Sequence, residues 1–267
     1  MSEPEHSFIN PWLLSVLDIA RAAGDSILDI YQSDDFGERL KSDASPLTEA
    51  DLASHEIISR GLDNLEPRLP ILSEEAAELP WKKRADWGRY WLVDPLDGTK
   101  EFIKRNGEFT INIALIDDHR PVLGVVHAPV LGVTWLGSVE DGALRLDADG
   151  LRSIQVQPHQ PGEAWRVVGS RSHAGDGLGQ FLAELGDYEL LSMGSSIKLC
   201  LVAEGSAHLY PRLGPTSEWD TAAAHAVVLA AGGEVVNAET EECLSYNTKE
   251  SLLNPFFIVR ASSSESP

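Results

Sequence analysis

At 267 residues the chain is long for one compact domain and short for two ordinary ones, so a single domain and two intimately packed halves are both open. Apolar residues make up 43%, enough for a sizeable core and against global disorder. With 42 acidic and 21 basic residues the formal charge is −21, which repels phosphate backbones and argues against a nucleic-acid polymer as partner.

The first residues, "MSEPEHSFIN", show no basic segment followed by an apolar one, so no secretory signal is expected. From Pro11 to Tyr31, apolar residues at Leu13, Val16, Leu17, Ala20, Ile27, Leu28 and Tyr31 follow a helical period. A second helix is predicted from Thr48, an N-cap with Asp51 three residues on in a capping box, and Pro67 is its expected stop. "LPILSEE" reads as a short strand ending at Ser73-Glu74. The run Lys82-Lys83-Arg84 reads as solvated surface. "YWLV" reads as a buried strand that stops at Asp94, with "DPLDGT" as the turn after it. "FTINIALID", "PVLGVVHAPV" and "VTWLGS" follow as antiparallel strands, and "DGALRLDADGLRS" as a hairpin.

A boundary is expected within 150–162, dividing an N-terminal α+β half, 1–155, from a C-terminal α/β half, 156–267, packed as one unit. In the second half "WRVVGS", "YELLSM", "AHLYPR", "EVVN" and "FFIVR" read as strands, and "LGQFLAELG", "SSIKLCLVAEG" and "EWDTAAAHAVVLAAGG" as helices, the last with a glycine cap. Gly175-Asp176-Gly177-Leu178-Gly179 lacks a dinucleotide-binding register and reads as a loop. Cys200 and Cys243 form neither a disulfide framework nor a Cys-x-x-Cys site. No stretch approaches the ~20 apolar residues that span a bilayer. A cytoplasmic setting is expected, with peripheral membrane association and oligomeric state left open.

Glu74, Asp94 and Asp97 fall at the ends of predicted strands, and Asp220 near a helix start. Singly, each has an ordinary explanation: Asp is common in turns and favours a helix N-terminus. Jointly, closely placed carboxylates cannot all ionise without a positive charge among them, and no Lys or Arg interrupts "VDPLD". A hard divalent cation such as Mg²⁺ would supply that charge. Pro95 fixes one φ and removes an N–H, which lets the segment aim Asp94, the Leu96 carbonyl and Asp97 at one place. Gly98 allows close backbone approach, and the amides of Gly98 and Thr99 could receive an anion. The pattern reads as metal ions held beside a phosphate.

"WLVDPLDGTKEF" and "EWDTAAAHAVVLAAGG", with "LTEAD" and "LSEE" before them in order, resemble the signatures of the lithium-sensitive, Mg²⁺-dependent phosphatases of the inositol monophosphatase superfamily. The resemblance covers about residues 10–260. It implies a mixed α+β and α/β fold, the layered αβαβα sandwich of the sugar phosphatases. "KSDASPLTEAD", "DPLDGTKEFIKRNGEFTINIALID", "SRSHA", "GSSIKLCLVAEG" and "LYPRLGPTSEWDTAAAHA" further resemble the bacterial 3′(2′),5′-bisphosphate nucleotidase branch. That branch removes the 3′-phosphate of adenosine 3′,5′-bisphosphate, a by-product of sulfate assimilation, to give AMP.

The resemblance implies that Glu74, Asp94 and the Leu96 carbonyl hold one Mg²⁺, that Asp94, Asp97 and Asp220 hold a second, and that a third, weaker ion shares Glu74. It places the scissile phosphate on Gly98 and Thr99. The attacking water is oriented by Thr99 and Glu74, with Asp51 behind the threonine. Arg171, His173, Ser195, Lys198 and Arg212 are expected to read the rest of the substrate, with Ser195, Lys198 and Arg212 on its other phosphate. Each also has an ordinary reading: Ser195 as an N-cap, Lys198 as solvated helix face, Arg212 as a surface ion pair. Inositol monophosphate and fructose 1,6-bisphosphate are the alternative substrates, and a non-catalytic regulator on the same fold is the alternative of another class.

Overall fold

The computed structural model describes residues 10–33, 37, 39–40, 46–77, 79–170 and 176–262. Helix α1 (Pro11–Tyr31) starts on Asn10, whose side chain accepts the Trp12 N–H, and it buries Leu13, Val16, Leu17, Ala20 and Ile27 as the period predicts. A two-residue pair, β1 (Arg39–Leu40) and β2 (Pro46–Leu47), precedes α2 (Glu49–Asp63), which opens on the expected Thr48/Asp51 capping box. α2 ends with Asn64 as its cap residue, before Pro67 is reached. β3 (Ile71–Ser73) runs into a 3₁₀ turn over Glu74–Ala76 and the short α3 (Trp81–Arg84).

Next come β4 (Arg89–Asp97), α4 (Thr99–Ile103), β5 (Thr110–Asp117), β6 (Arg120–Ala128), β7 (Val133–Ser138), β8 (Gly142–Asp147) and β9 (Gly150–Ile154). The rest comprises β10 (Trp165–Ser170), α5 (Asp176–Leu185), β11 (Tyr188–Met193), α6 (Ile197–Ala203), β12 (Leu209–Arg212), α7 (Glu218–Ala230), β13 (Gly233–Asn237) and β14 (Phe257–Ala261). Two sequence expectations need correction here. Asp176–Gly179 is the first turn of α5 rather than loop, and β4 continues through Asp97 rather than stopping at Asp94.

A seven-stranded sheet runs in the order β3-β4-β5-β6-β7-β8-β9, antiparallel except for β3 with β4. The β5–β6 turn places Asp118 and His119 at φ 46° and 64°, the left-handed pair that a tight hairpin requires. A five-stranded sheet has the order β11-β10-β12-β14-β13, with β10 parallel to both β11 and β12. The strands of the first sheet are apolar on both faces because both are covered. Trp91, Val93, Ile111, Ile113 and Val125 pack against α1 and α2. Leu92, Ala114, Ile116 and Val126 share a core with α6, α7 and the five-stranded sheet. Val167, Leu209 and Ile258, on the far face of that second sheet, pack with Leu182 of α5. The layers therefore run helix, sheet, helix, sheet, helix, as expected for the sandwich.

α7 lies in the middle layer and carries Asp220 in its first turn. It seats directly on the sheet because two register partners, Gly124 on β6 and Gly137 on β7, have no side chain to hold it away. A Cβ at Gly124 would stand 2.1 Å from the Ala223 carbonyl oxygen, and one at Gly137 would stand 2.6 Å from the Val227 Cα. Both obstacles are helix backbone, which cannot rotate aside. Gly124→Ala should therefore destabilise the protein by at least about 1–3 kcal/mol, the range for overpacked cores. The check is the urea midpoint at unchanged slope. Gly179→Ala, where an added Cβ meets nothing within 4 Å, should be neutral or slightly stabilising.

Candidate active site

Residues three apart on a regular strand point to opposite faces, so Asp94 and Asp97 would diverge. β4 avoids this by a bulge. Asp94 is in register with Asn112 and Asp97 with Thr110, so Pro95 and Leu96 together stand opposite Ile111. Proline suits this place because a bulged residue has no ladder N–H to give. Its carbonyl is held instead by the Ser54 hydroxyl on α2, at 2.8 Å. The Leu96 N–H donates to Asp94 Oδ1 at 3.0 Å.

The bulge brings Asp94 and Asp97 together, and α7 brings Asp220 to them. One carboxylate oxygen from each of the three lies within 4.8 Å of the others. Glu74, from the 3₁₀ turn after β3, stands within hydrogen-bond reach of the Asp94 carboxyl. Burial, then the charges of Glu74, Asp97 and Asp220, push the Asp94 carboxyl well above the usual carboxylate range. Burial, followed by the charge of Asp97, does the same to Asp220. Asp97 is raised to about 6, chiefly by burial, against the opposing pull of Lys198 and of the Ser196 N–H. A set of oxygen donors that repel one another, Asp94 buried and the others half-buried, fits a hard divalent cation such as Mg²⁺.

Each carboxylate is also anchored. Asp220 is the third residue of a capping box with Ser217, whose N–H reaches Asp220 Oδ2 at 2.9 Å. Asp97 Oδ2 accepts the Ser196 N–H at 2.5 Å. Asp51 Oδ2 accepts both the Thr48 N–H (2.7 Å) and its hydroxyl (2.6 Å), while Asp51 Oδ1 accepts from the Thr99 hydroxyl at 3.2 Å. Gly98 precedes Thr99 at φ 96°, a left-handed conformation that glycine adopts without strain.

Glu74, Asp97, Gly98, Thr99 and Asp220 line a cavity of about 220 Å³. Ser195, Lys198, Tyr210 and Arg212 line it as well, with Ser170 and Arg212 at the C-terminal ends of the parallel strands β10 and β12. Lys198 is not a solvated face of α6: it is 5% exposed and its ammonium donates to the Ser195 carbonyl at 2.5 Å. Burial lowers its pKa to about 8, while Asp97 works to raise it. Arg212 is not a surface ion pair: it is 8% exposed and donates to the Pro215 carbonyl. Ser196, rather than Ser195, caps α6, and Ser195 sits at φ 47°. Arg171 and His173 lie outside the described residues.

Four contributors escaped the sequence reading. The Ser196 hydroxyl donates to Asn112 Oδ1 and pairs with the Thr110 hydroxyl, which fixes the turn whose N–H holds Asp97. Ser54 secures the bulge. Buried Tyr210 lies under the Lys198 ammonium, 5.5 Å from ring centre to nitrogen. Buried Glu101 adds negative charge beside Asp97. Glu101, Ser196 and Tyr210 fall inside the stretches that carry the family resemblance, but nothing in their spacing assigned them a role.

The model of the inositol monophosphatase family matches residues 11–262. The chain belongs to the inositol monophosphatase family. Within that family it is 51% identical, over 248 residues, to the 3′(2′),5′-bisphosphate nucleotidase CysQ of Salmonella typhimurium, covering 92% of this chain and 98% of that one. The crystal structure of CysQ from Bacteroides thetaiotaomicron superposes with a TM-score of 0.84 at 42% identity, over 95% of this chain and 98% of the other. An inositol monophosphatase of Thermotoga maritima, at 22% identity and a TM-score of 0.77, shares the fold over 94% and 92% of the two chains. Metal dependence is general in the inositol monophosphatase family, and the acidic cluster is in keeping with it. Among the described residues no helix is long and apolar enough to cross a membrane.

The raised Asp97 carboxyl makes stability depend on pH. In the unfolded chain it titrates near 3.9 and in the folded chain at about 6, so the folded state holds the extra proton between these values. Stability from this group is therefore lost as pH rises from about 4 through 6. Asp97→Asn keeps an acceptor for the Ser196 N–H and removes the charge. In chelator, its melting temperature should match wild type near pH 4 and exceed it increasingly up to pH 7. Saturating Mg²⁺ should reverse the order, with turnover of the variant nearly abolished. Thermal melts across pH, with and without Mg²⁺, check this.

Proposed function

We propose that this chain is a Mg²⁺-dependent 3′(2′),5′-bisphosphate nucleotidase that hydrolyses the 3′-phosphate of adenosine 3′,5′-bisphosphate to AMP and phosphate. The observation that carries the reading is one cavity lined both by members of the carboxylate cluster and by the buried cations Lys198 and Arg212. A substrate with two phosphates can engage metal ions on the acids with one and the two cations with the other. The 51% identity to enzymes of this name, over 91% of this chain or more, supports it, and a cytoplasmic setting accompanies it.

In this reading Asp94, Glu74 and the Leu96 carbonyl hold one Mg²⁺, and Asp94, Asp97 and Asp220 hold a second, with room on Glu74 for a third. Bound there, Mg²⁺ neutralises charge on the transferring phosphoryl group and makes a water more acidic. The Thr99 hydroxyl donates its hydrogen bond to Asp51 Oδ1, so its oxygen is left to accept a hydrogen bond from the attacking water. Asp51 cannot turn away, because its second oxygen is held twice by Thr48. Glu74, which lines the same cavity, accepts the water's other hydrogen. The water oxygen ends on phosphorus, the bond from phosphorus to the 3′ oxygen breaks, and the 3′ oxygen takes up one of the water's two protons to leave as the hydroxyl while the other stays with the phosphate. In the same cavity the Arg212 guanidinium and the Lys198 ammonium bind the 5′-phosphate. A neighbouring phosphate holds Lys198 in its charged form.

Phosphate release with and without Mg²⁺, from a panel of adenosine 3′,5′-bisphosphate, inositol monophosphate and fructose 1,6-bisphosphate, tests the reading. The bisphosphate nucleotide should be the preferred substrate and chelator should abolish turnover; a preference for either sugar phosphate would overturn the assignment. Arg212→Ala should lower kcat/KM for the bisphosphate on the order of ten- to a hundredfold, the worth of one charge-assisted contact at ~1.5–3 kcal/mol. A 3′-monophosphate should be far less affected, and equal losses would make Arg212 structural. Li⁺, small and hard with half the charge of Mg²⁺, should inhibit at concentrations where NaCl of matched ionic strength does not. Initial rates in the two salts decide this.

A further inference from the structure

Lys82 and Lys83 are exposed, but Arg84, the third residue of the same basic run, is only 2% exposed. Its guanidinium passes over the Trp81 ring, 4.8 Å from the centroid, and donates to Asn247 Oδ1 and the Glu250 carbonyl, both at 2.5 Å. Asn247 answers by donating from Nδ2 to the Arg84 carbonyl at 2.7 Å. Asn247 is wholly buried and left-handed at φ 53°. Its backbone N–H donates to Glu218 Oε2 at 2.8 Å. Glu218 is the first residue of α7, two before Asp220, and is itself buried.

These three residues join the two parts of the chain that supply the acidic cluster. Arg84 ends α3, which leads directly into β4 with Asp94 and Asp97. Glu218 begins the turn that presents Asp220. A buried acid costs desolvation, which pushes the Glu218 carboxyl up against the pull of the Asn247 N–H and of Arg84, and a neutral residue could have started the helix as well. Its presence demands a compensating role, which the pairing through Asn247 to a buried guanidinium supplies. We infer that Arg84, Asn247 and Glu218 form a bracket that positions Asp220 against Asp94 and Asp97, and so sets the affinity of the site for Mg²⁺. This rests on the reading that those three aspartates share a cation. The bracket residues are positioning residues: none lines the cavity that holds the aspartates.

The test measures Mg²⁺ binding to the substrate-free protein by calorimetry. Glu218→Ala removes the acceptor. Asn247→Gly severs the link to Arg84 while keeping the backbone donor and tolerating the left-handed conformation. Each should weaken Mg²⁺ binding roughly tenfold, as loss of an outer partner of a metal ligand does. Glu218→Gln keeps an acceptor for the Asn247 N–H and should bind within about twofold of wild type. Leu182→Ala, in the core beneath α5, is destabilised without touching the bracket and should also bind like wild type. The inference fails if Glu218→Ala and Asn247→Gly bind Mg²⁺ normally, or if Leu182→Ala loses as much. Should Glu218→Ala not fold, Asn247→Gly is judged alone by the same criterion. Asp97→Asn, run alongside, separates the two levels: if it binds Mg²⁺ normally, the shared-cation reading itself is wrong, whatever the bracket variants do.

Discussion

Several carboxylates must be buried together without neutralising one another, and the surrounding structure answers that constraint in one repeated way. One oxygen of each is tied to a backbone N–H: Asp94 to Leu96, Asp97 to Ser196, Asp220 to Ser217, and Asp51 to Thr48. A backbone donor steadies a carboxylate's orientation and favours its charged form without bringing in a full positive charge. The second oxygen is left for the site. The bulge in β4, the two capping boxes and the tight turn before α6 are four unrelated local structures that converge on this arrangement. A nearby lysine or arginine for each acid would have been simpler, and would have filled the place where a cation fits.

The cations that line the cavity share it with the acids. Lys198 pulls against the raised carboxyl of Asp97, and Arg212 against that of Asp220. The acids come from the turn after β3, from β4 and from α7, and the cations from α6 and β12. The cavity is thus assembled by both sheets and the helix layer between them, and not by any single loop.

Much of this was legible in the residues. The period of α1, the capping box at Thr48 and the alternation of the seven-stranded sheet follow from local rules, and the acids at 74, 94, 97 and 220 stood out because each sits at the edge of an apolar run. What local rules could not give was the direction of a side chain set by a distant partner. Arg84 reads as solvated beside two exposed lysines, and is buried because Asn247 meets it from a remote part of the chain. Lys198 reads as an exposed helix position, and is buried because β12 and Asp97 enclose it. The strand-or-turn question at Pro95 was decided by Ser54 of another helix. For Asp220 the two readings do not compete, since the acid that closes the capping box also stands with Asp94 and Asp97 in the cluster.

The paired glycines under α7 have a mechanical consequence. Because Gly124 and Gly137 let helix backbone rest on strand backbone, the contact works like a key in a slot. A helix seated on side chains can slide by small rotamer adjustments, which is how packed layers shear past one another. Here a shift along the axis would drive the bulk of neighbouring residues into the helix backbone. Shear of the central helix is thereby closed off as a way of opening or tuning the cavity. Any rearrangement during a catalytic cycle is left to the rest of the lining, which comes from α6 and the ends of β10 and β12.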